Sequence, residues 1–183
     1  MRQLLYLAIT CTILFTSCTK DVAGTTGVFT NPLDPETAEE IGFLTPAVVF
    51  FPATASTSVG SGVTLDIHAM DVDSIAGSHI QVSYNKTKLS LLSLSQGSFY
   101  DGAPEMLFYY EDDADAGQID IYSGFLGVDS ASVSGTGKLA SLVFTTLVSG
   151  QSTVSFTTES KFADPLNNPI EILGFGECVV DAQ

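Results

Sequence analysis

From Thr45 onward the sequence consists of short runs in which apolar and polar residues alternate, each closed by a turn rich in Gly, Pro, Asn or Asp. A side-chain period of two is what a strand with one buried and one solvated face requires, and a helix cannot gather such a pattern onto one side. Val63, Leu65, Ile67 and Ala69 alternate with Thr64, Asp66 and His68, and Ile80, Val82 and Tyr84 alternate with His79, Gln81 and Ser83. Ala47 to Phe51 is a continuous Val/Phe-rich run, and Leu89 to Leu94 follows the Asn85-Lys86 turn. Met106 to Glu111 and Gln118 to Phe125 flank the polar loop Asp112 to Gly117, which reads as a hairpin tip. After a Gly/Ser connection from Gly127 to Gly137, three more strands are expected at Lys138 to Val148, Ser152 to Thr158 and Gly176 to Asp181. Pro46, Pro52, Pro104, Pro165 and Pro169 all fall at strand ends or in loops, where a missing N–H costs no ladder bond. Nine short strands in one domain, 45–183, predict an all-β fold: a nine-stranded β-sandwich with jelly-roll topology.

The N-terminus has a different character. Met1 and Arg2 lead into the apolar run Leu4 to Phe15, and Thr16-Ser17 precede Cys18. A charged start, an apolar core too short to span a bilayer and small residues before a cysteine predict a lipoprotein signal peptide over 1–17, with Cys18 as the lipidated new N-terminus. The lipid would hold the protein to a membrane, and Thr19 in place of an aspartate favours the outer membrane or cell surface, facing the periplasm or exterior. Residues 18–44, rich in Thr, Gly, Pro and acids, read as a flexible tether. A short helix from Pro35 to Ile41 is expected within it, with Asp34 as its cap and Pro35 at its first position.

Composition removes several function classes. The formal net charge is −15, and Arg2 is the only arginine, so a phosphate backbone would be repelled and nucleic acid is no partner. Cys178, alone in an apolar run, reads as a buried thiol. His68 and His79 have no Cys or second His at ligand spacing, so a zinc site is not expected. The cluster Asp112, Asp113 and Asp115 could in principle wrap a hard cation, but the closing bidentate Glu of a calcium loop is missing, and a solvated hairpin tip is the better reading. Glu105, Glu111 and Asp120 could serve a glycosidase as acid and base, yet there is no nucleophile elbow, phosphate loop or zinc signature, and no catalytic residue is assigned. Tyr109 and Tyr122 face outward by alternation and could stack on sugar rings or simply cover the sheet, whereas Phe99-Tyr100 reads as a loop anchor.

Four local patterns in order resemble the cohesin domain, the receptor module of cellulosome scaffolds, within a wider group of carbohydrate-binding jelly rolls. They are the strand opening Ser58-Val59-Gly60-Ser61-Gly62-Val63-Thr64-Leu65, the stretch Ile75 to Leu89 with Tyr84-Asn85 and Leu89, the strand Gly135-Thr136-Gly137-Lys138-Leu139-Ala140-Ser141-Leu142-Val143-Phe144, and Phe162-Ala163-Asp164. The resemblance spans Ala47 to Val180. It implies a docking face for a dockerin, a small calcium-loaded helical module, on the outward positions of the third, fifth, sixth and eighth strands. By alternation these are His79, Gln81 and Ser83; Tyr109 and Glu111; Asp120 and Tyr122; and Ser155 and Thr157. The Asn and Asp common on the third strand of type I cohesins fall here at Gly77 and His79. Calcium would belong to the dockerin, so the domain itself needs neither metal nor cofactor. The expected function is therefore a lipid-anchored, non-catalytic module that captures a dockerin-type partner or a polysaccharide at the cell envelope. The alternative is a structural or adhesion lipoprotein without a dedicated ligand.

Overall fold

A computed structural model describes residues 33–101, 106–126 and 131–183. Cys18, the tether as far as Pro32, and Glu105 lie outside them. Among the described residues one helix and thirteen strands occur. The helix is α1 (Pro35–Glu40), followed by β1 (Ala47–Phe51), β2 (Thr54–Thr57), β3 (Gly62–Ile75), β4 (Gly77–Tyr84), β5 (Leu89–Gln96), β6 (Met106–Asp113) and β7 (Gln118–Phe125). The rest are β8 (Val133–Thr146), β9 (Gly150–Phe156), β10 (Lys161–Ala163), β11 (Pro169–Ile170), β12 (Gly174–Gly176) and β13 (Cys178–Ala182).

The strands form two sheets packed as a sandwich. The smaller has the order β12-β1-β3-β8-β5; in the larger, β4 pairs β7 along one edge and both β9 and β10 along the other, with β6 beyond β7. All nine expected strands are present, and the count differs through four short ones, β2, β10, β11 and β12, of two to four residues. Elements that short carry too few side chains for a period-two signal; their existence depends on a neighbour's free edge. The last expected strand is in fact two, since β12 runs parallel to β1 in the smaller sheet while β13 runs parallel to β2 in the larger. β3 and β8 extend further than expected because β-bulges absorb the irregular stretch around Asp71 and Ser74, both at positive φ (51° and 55°).

The alternating apolar residues meet between the sheets. Leu65, Ile67, Ile80, Val82, Ile119, Ile121, Leu142, Phe144, Val154 and Val180 lie in one buried cluster. Phe99 and Tyr100 close one end of it, with the Tyr100 ring edge-on to Phe125 at 5.3 Å. Residues Leu33 to Leu44, read from sequence as the end of the tether, pack against the domain. Asp34 caps α1 by accepting the Thr37 N–H at 3.1 Å, and Ala38 is buried with Ala47, Val49 and Met70 on the outer side of the smaller sheet. The described helix is not long and apolar enough to cross a membrane.

Cys178 is fully buried, and burial pushes its thiol up from 9.0 to about 12. Tyr84 is likewise pushed up to about 12, first by burial and then by its hydrogen bond to Asp112 at 3.0 Å. Both groups fold in their protonated form, so the stability they confer is complete below their unfolded values and is lost as pH rises through them toward 12. The urea midpoint is therefore expected to hold between pH 7 and 8.5 and to fall steeply between pH 10 and 12. A Cys178→Ala variant should flatten part of that fall, and an unchanged slope would show that the thiol is not the titrating group.

Candidate functional site

Strands β6, β7 and β4, together with the β9 and β10 that share the far edge of β4, present a broad face to solvent. Register places its outward side chains in transverse rows. Tyr109 lies opposite Tyr122, Tyr122 opposite His79, and His79 opposite Lys161. One step along, Glu111 lies opposite Asp120 and Asp120 opposite Gln81. The next row is Asp113, Gln118, Ser83 and Ser155. Burial alternates strictly along β4, so that Ser78, Ile80, Val82 and Tyr84 point into the sandwich while His79, Gln81 and Ser83 point out. The structure thus brings all nine residues chosen from the sequence onto one surface, and adds Lys161, Leu107, Gly77 and Gly124 to it.

The middle rows are tied together. Asp120 accepts from His79 Nε2 at 2.6 Å and from Gln81 Nε2 at 2.9 Å, while Gln81 Oε1 accepts from the Thr157 hydroxyl at 2.7 Å. The Gln81 N–H donates to Ser160 Oγ at 3.0 Å, so the polar groups of Gln81 are engaged and its side chain is held in place. Tyr109 donates its hydroxyl to Glu111 at 2.7 Å, which holds the phenol above its usual value. Tyr122 is shifted the same way, by partial burial first and then by Asp120 and Glu111.

The rings form a pile across the strands. His79 and Tyr122 are parallel within 4° at 4.6 Å, and Tyr122 and Tyr109 are within 24° at 6.2 Å. Tyr122 therefore has a ring against each of its faces. A sugar platform offers flat ring faces to solvent; in this row both faces of Tyr122 are taken by neighbours, and Tyr109, half exposed on the edge strand, is stacked on one side only.

The other candidate residues settle into structural roles. Asp113 accepts the N–H groups of Asp115 (3.1 Å) and Ala116 (2.9 Å), and Asp112 takes the Tyr84 hydroxyl, so these carboxylates close and anchor the hairpin tip. His68, expected to face solvent, sits half-buried edge-on to Phe51 at 6.2 Å on the outer side of the smaller sheet, and burial lowers its pKa. No group of three or more His, Cys, Asp or Glu suited to a metal ion occurs among the described residues.

Leu107 and Gly124 share the parity of Tyr109 and Tyr122 within strands legible from the sequence, so alternation could have found them. Lys161 could not be found that way, because β10 has three residues and gains its place only by pairing with β4.

These features define a class: a two-sheet jelly-roll sandwich whose larger sheet carries an ordered, largely polar outer face. The chain belongs to the cohesin family, whose domain model matches residues 48–172. Solved structures agree in fold. A type II cohesin domain from the cellulosome of Acetivibrio cellulolyticus is 16% identical with a TM-score of 0.63, over 74% of this chain and 95% of that one. A non-cellulosomal cohesin from the hyperthermophilic archaeon Archaeoglobus fulgidus is 19% identical with a TM-score of 0.59, over 75% and 93%. The structure of a type I cohesin–dockerin complex from Clostridium thermocellum includes a match at 16% identity and a TM-score of 0.62, over 75% and 99%. Comparison with curated proteins gives no significant match.

Proposed function

We propose that this chain is a non-catalytic, lipid-anchored cohesin module that captures a dockerin-type protein at the cell envelope through the outer face of β6, β7, β4 and the adjoining β9 and β10. The observation that carries the reading is the face itself, in which Tyr109, Glu111, Asp120, Tyr122, His79, Gln81 and Thr157 are held by mutual hydrogen bonds and ring stacking before any partner arrives. A pre-organised face loses little side-chain freedom on binding, which is what a receptor needs. The stacking that covers both faces of Tyr122 supports a protein partner over a polysaccharide, and the known dockerin-bound relatives point the same way.

The test is titration of the protein against a panel of purified dockerin modules with calcium and with chelator. Saturable binding abolished by chelator is expected, since a dockerin loses its fold without its ions. Absence of saturable binding across the panel, with saturable binding to cello-oligosaccharide, would overturn the reading in favour of a glycan. Absence of both would leave the adhesion alternative.

Cys18 is the proposed anchor, and the outer membrane or cell surface the proposed location. In a bacterial host Cys18→Ala is expected to lose incorporated palmitate and to move the protein from the membrane fraction to the soluble one. Retention of both would sink the anchoring proposal.

A further inference from the structure

The outer face has one more transverse row, and its middle carries no side chains. Leu107 lies opposite Gly124, Gly124 opposite Gly77, and Gly77 opposite Ala163. The result is a trough of about 440 Å³ running across the strands beside the ring row, walled by Leu107, Tyr122, His79, Lys161, Asn167 and Pro169.

The two glycines are there for different reasons. A Cβ on Gly124 would meet the Ala76 carbonyl oxygen at 2.7 Å and the Gly77 Cα at 2.9 Å, so the sheet itself demands glycine at that position. A Cβ on Gly77 would have the Ser123 carbonyl oxygen at 3.7 Å as its only neighbour, an ordinary contact, and the Gly77 backbone is not left-handed. Neither packing nor backbone conformation requires glycine at 77; what it leaves is open floor. Around that floor Leu107, Ala163 and Pro169 make the lining largely apolar, which suits an apolar side chain.

Charge specifies the flank. Lys86 and Lys88 donate to the carbonyls of Asp115 and Gln151, and Lys138 pairs with Asp66 on the smaller sheet. Lys161, at the end of the trough, is held only by a long pair to Glu159 at 3.7 Å, with both side chains about two-thirds exposed (66% and 64%). It is the lysine of this face among the described residues, and the Glu111–Asp120 row lies one row from Lys161 and two from the glycine row. A partner carboxylate is attracted at one end of the trough and repelled over the rest of the face.

We propose that the trough seats one branched aliphatic side chain of the partner protein, with a partner carboxylate beside it meeting Lys161. The proposal rests on the docking reading above and adds the partner's chemistry to it.

The experiment is an amide-resolved NMR titration of the full-length protein with N-acetylleucine, which carries both an isobutyl group and a carboxylate, against N-acetylleucinamide and N-acetylglycine. Saturating shifts centred on Gly77, Gly124 and Leu107 are expected for N-acetylleucine, with binding at least threefold weaker for the amide and no saturation for N-acetylglycine. Gly77→Leu, which places its own side chain in the trough, should weaken N-acetylleucine at least tenfold while the remaining spectrum stays in place, and Lys161→Gln should bring the acid down to the amide's affinity. Shifts centred elsewhere, no saturation, or wild-type binding by Gly77→Leu would overturn the proposal, as would cello-oligosaccharide shifting the same amides more strongly. The same variant separates the two readings. A dockerin that binds wild type and Gly77→Leu equally overturns the trough and leaves docking standing. N-acetylleucine in the trough with no dockerin bound across the panel leaves the trough and overturns the dockerin.

Discussion

Tyr122→Ala is expected to weaken capture of a calcium-loaded dockerin at least 30-fold, about 2 kcal/mol, while leaving the domain folded. Tyr122 sits at the centre of the face with His79 on one side at 4.6 Å and Tyr109 on the other at 6.2 Å. Truncation removes a central aromatic and also frees both neighbours, so the face loses order as well as contact. Central aromatic residues in well-ordered patches are where binding energy concentrates, whereas rim charges such as Glu159 should change affinity little. The lost stacking should lower folding stability by no more than about 1.5 kcal/mol. Calorimetric titration alongside a thermal melt reads both quantities, and a binding loss below threefold would show that the ring row is not the contact.

The residue before it gives the opposite result. Ile121→Ala is expected to lower unfolding free energy by about 3 kcal/mol, within the usual range of about 2–5 for emptying a buried aliphatic site. Ile121 is 2% exposed, in the central cluster with Ile80, Val82 and Ile119. For a domain of this size that is a fall in Tm of roughly 6–12 °C, a large share of a total stability of about 5–15 kcal/mol. At a temperature where the variant is folded, its dockerin affinity should stay within about threefold of wild type, because the outward residues of β7 keep their register. Loss of affinity without loss of stability would mean that Ile121 reports on the face rather than the core. Two adjacent residues thus separate binding from folding, a direct consequence of the strand's period of two.

That period is why so much was legible. Each strand of five or more residues was found at its place except that the final one divides between the two sheets, and the outward set on β4, β6 and β7 followed from counting parity. Asp34 and Pro35 likewise announced α1 through cap chemistry local to four residues. The packing of Ala38 onto Ala47, Val49 and Met70 was not legible, because an isolated six-residue helix is marginal and its burial depends on a sheet surface formed elsewhere in the chain.

The sequence by itself determined the all-β class, the parity of β4, β6 and β7, the formal net charge of −15, and the resemblance that proved to be family membership. These depend on residue type and on spacings of two, which survive without knowledge of partners. Only the tertiary structure decided which strands are neighbours, and hence that Tyr109, Tyr122, His79 and Lys161 share a row while Leu107, Gly124, Gly77 and Ala163 enclose a trough. Strand order and register arise from contacts between residues far apart in the chain, and the smallest strands exist only because a longer one offers unpaired N–H and C=O groups along its edge.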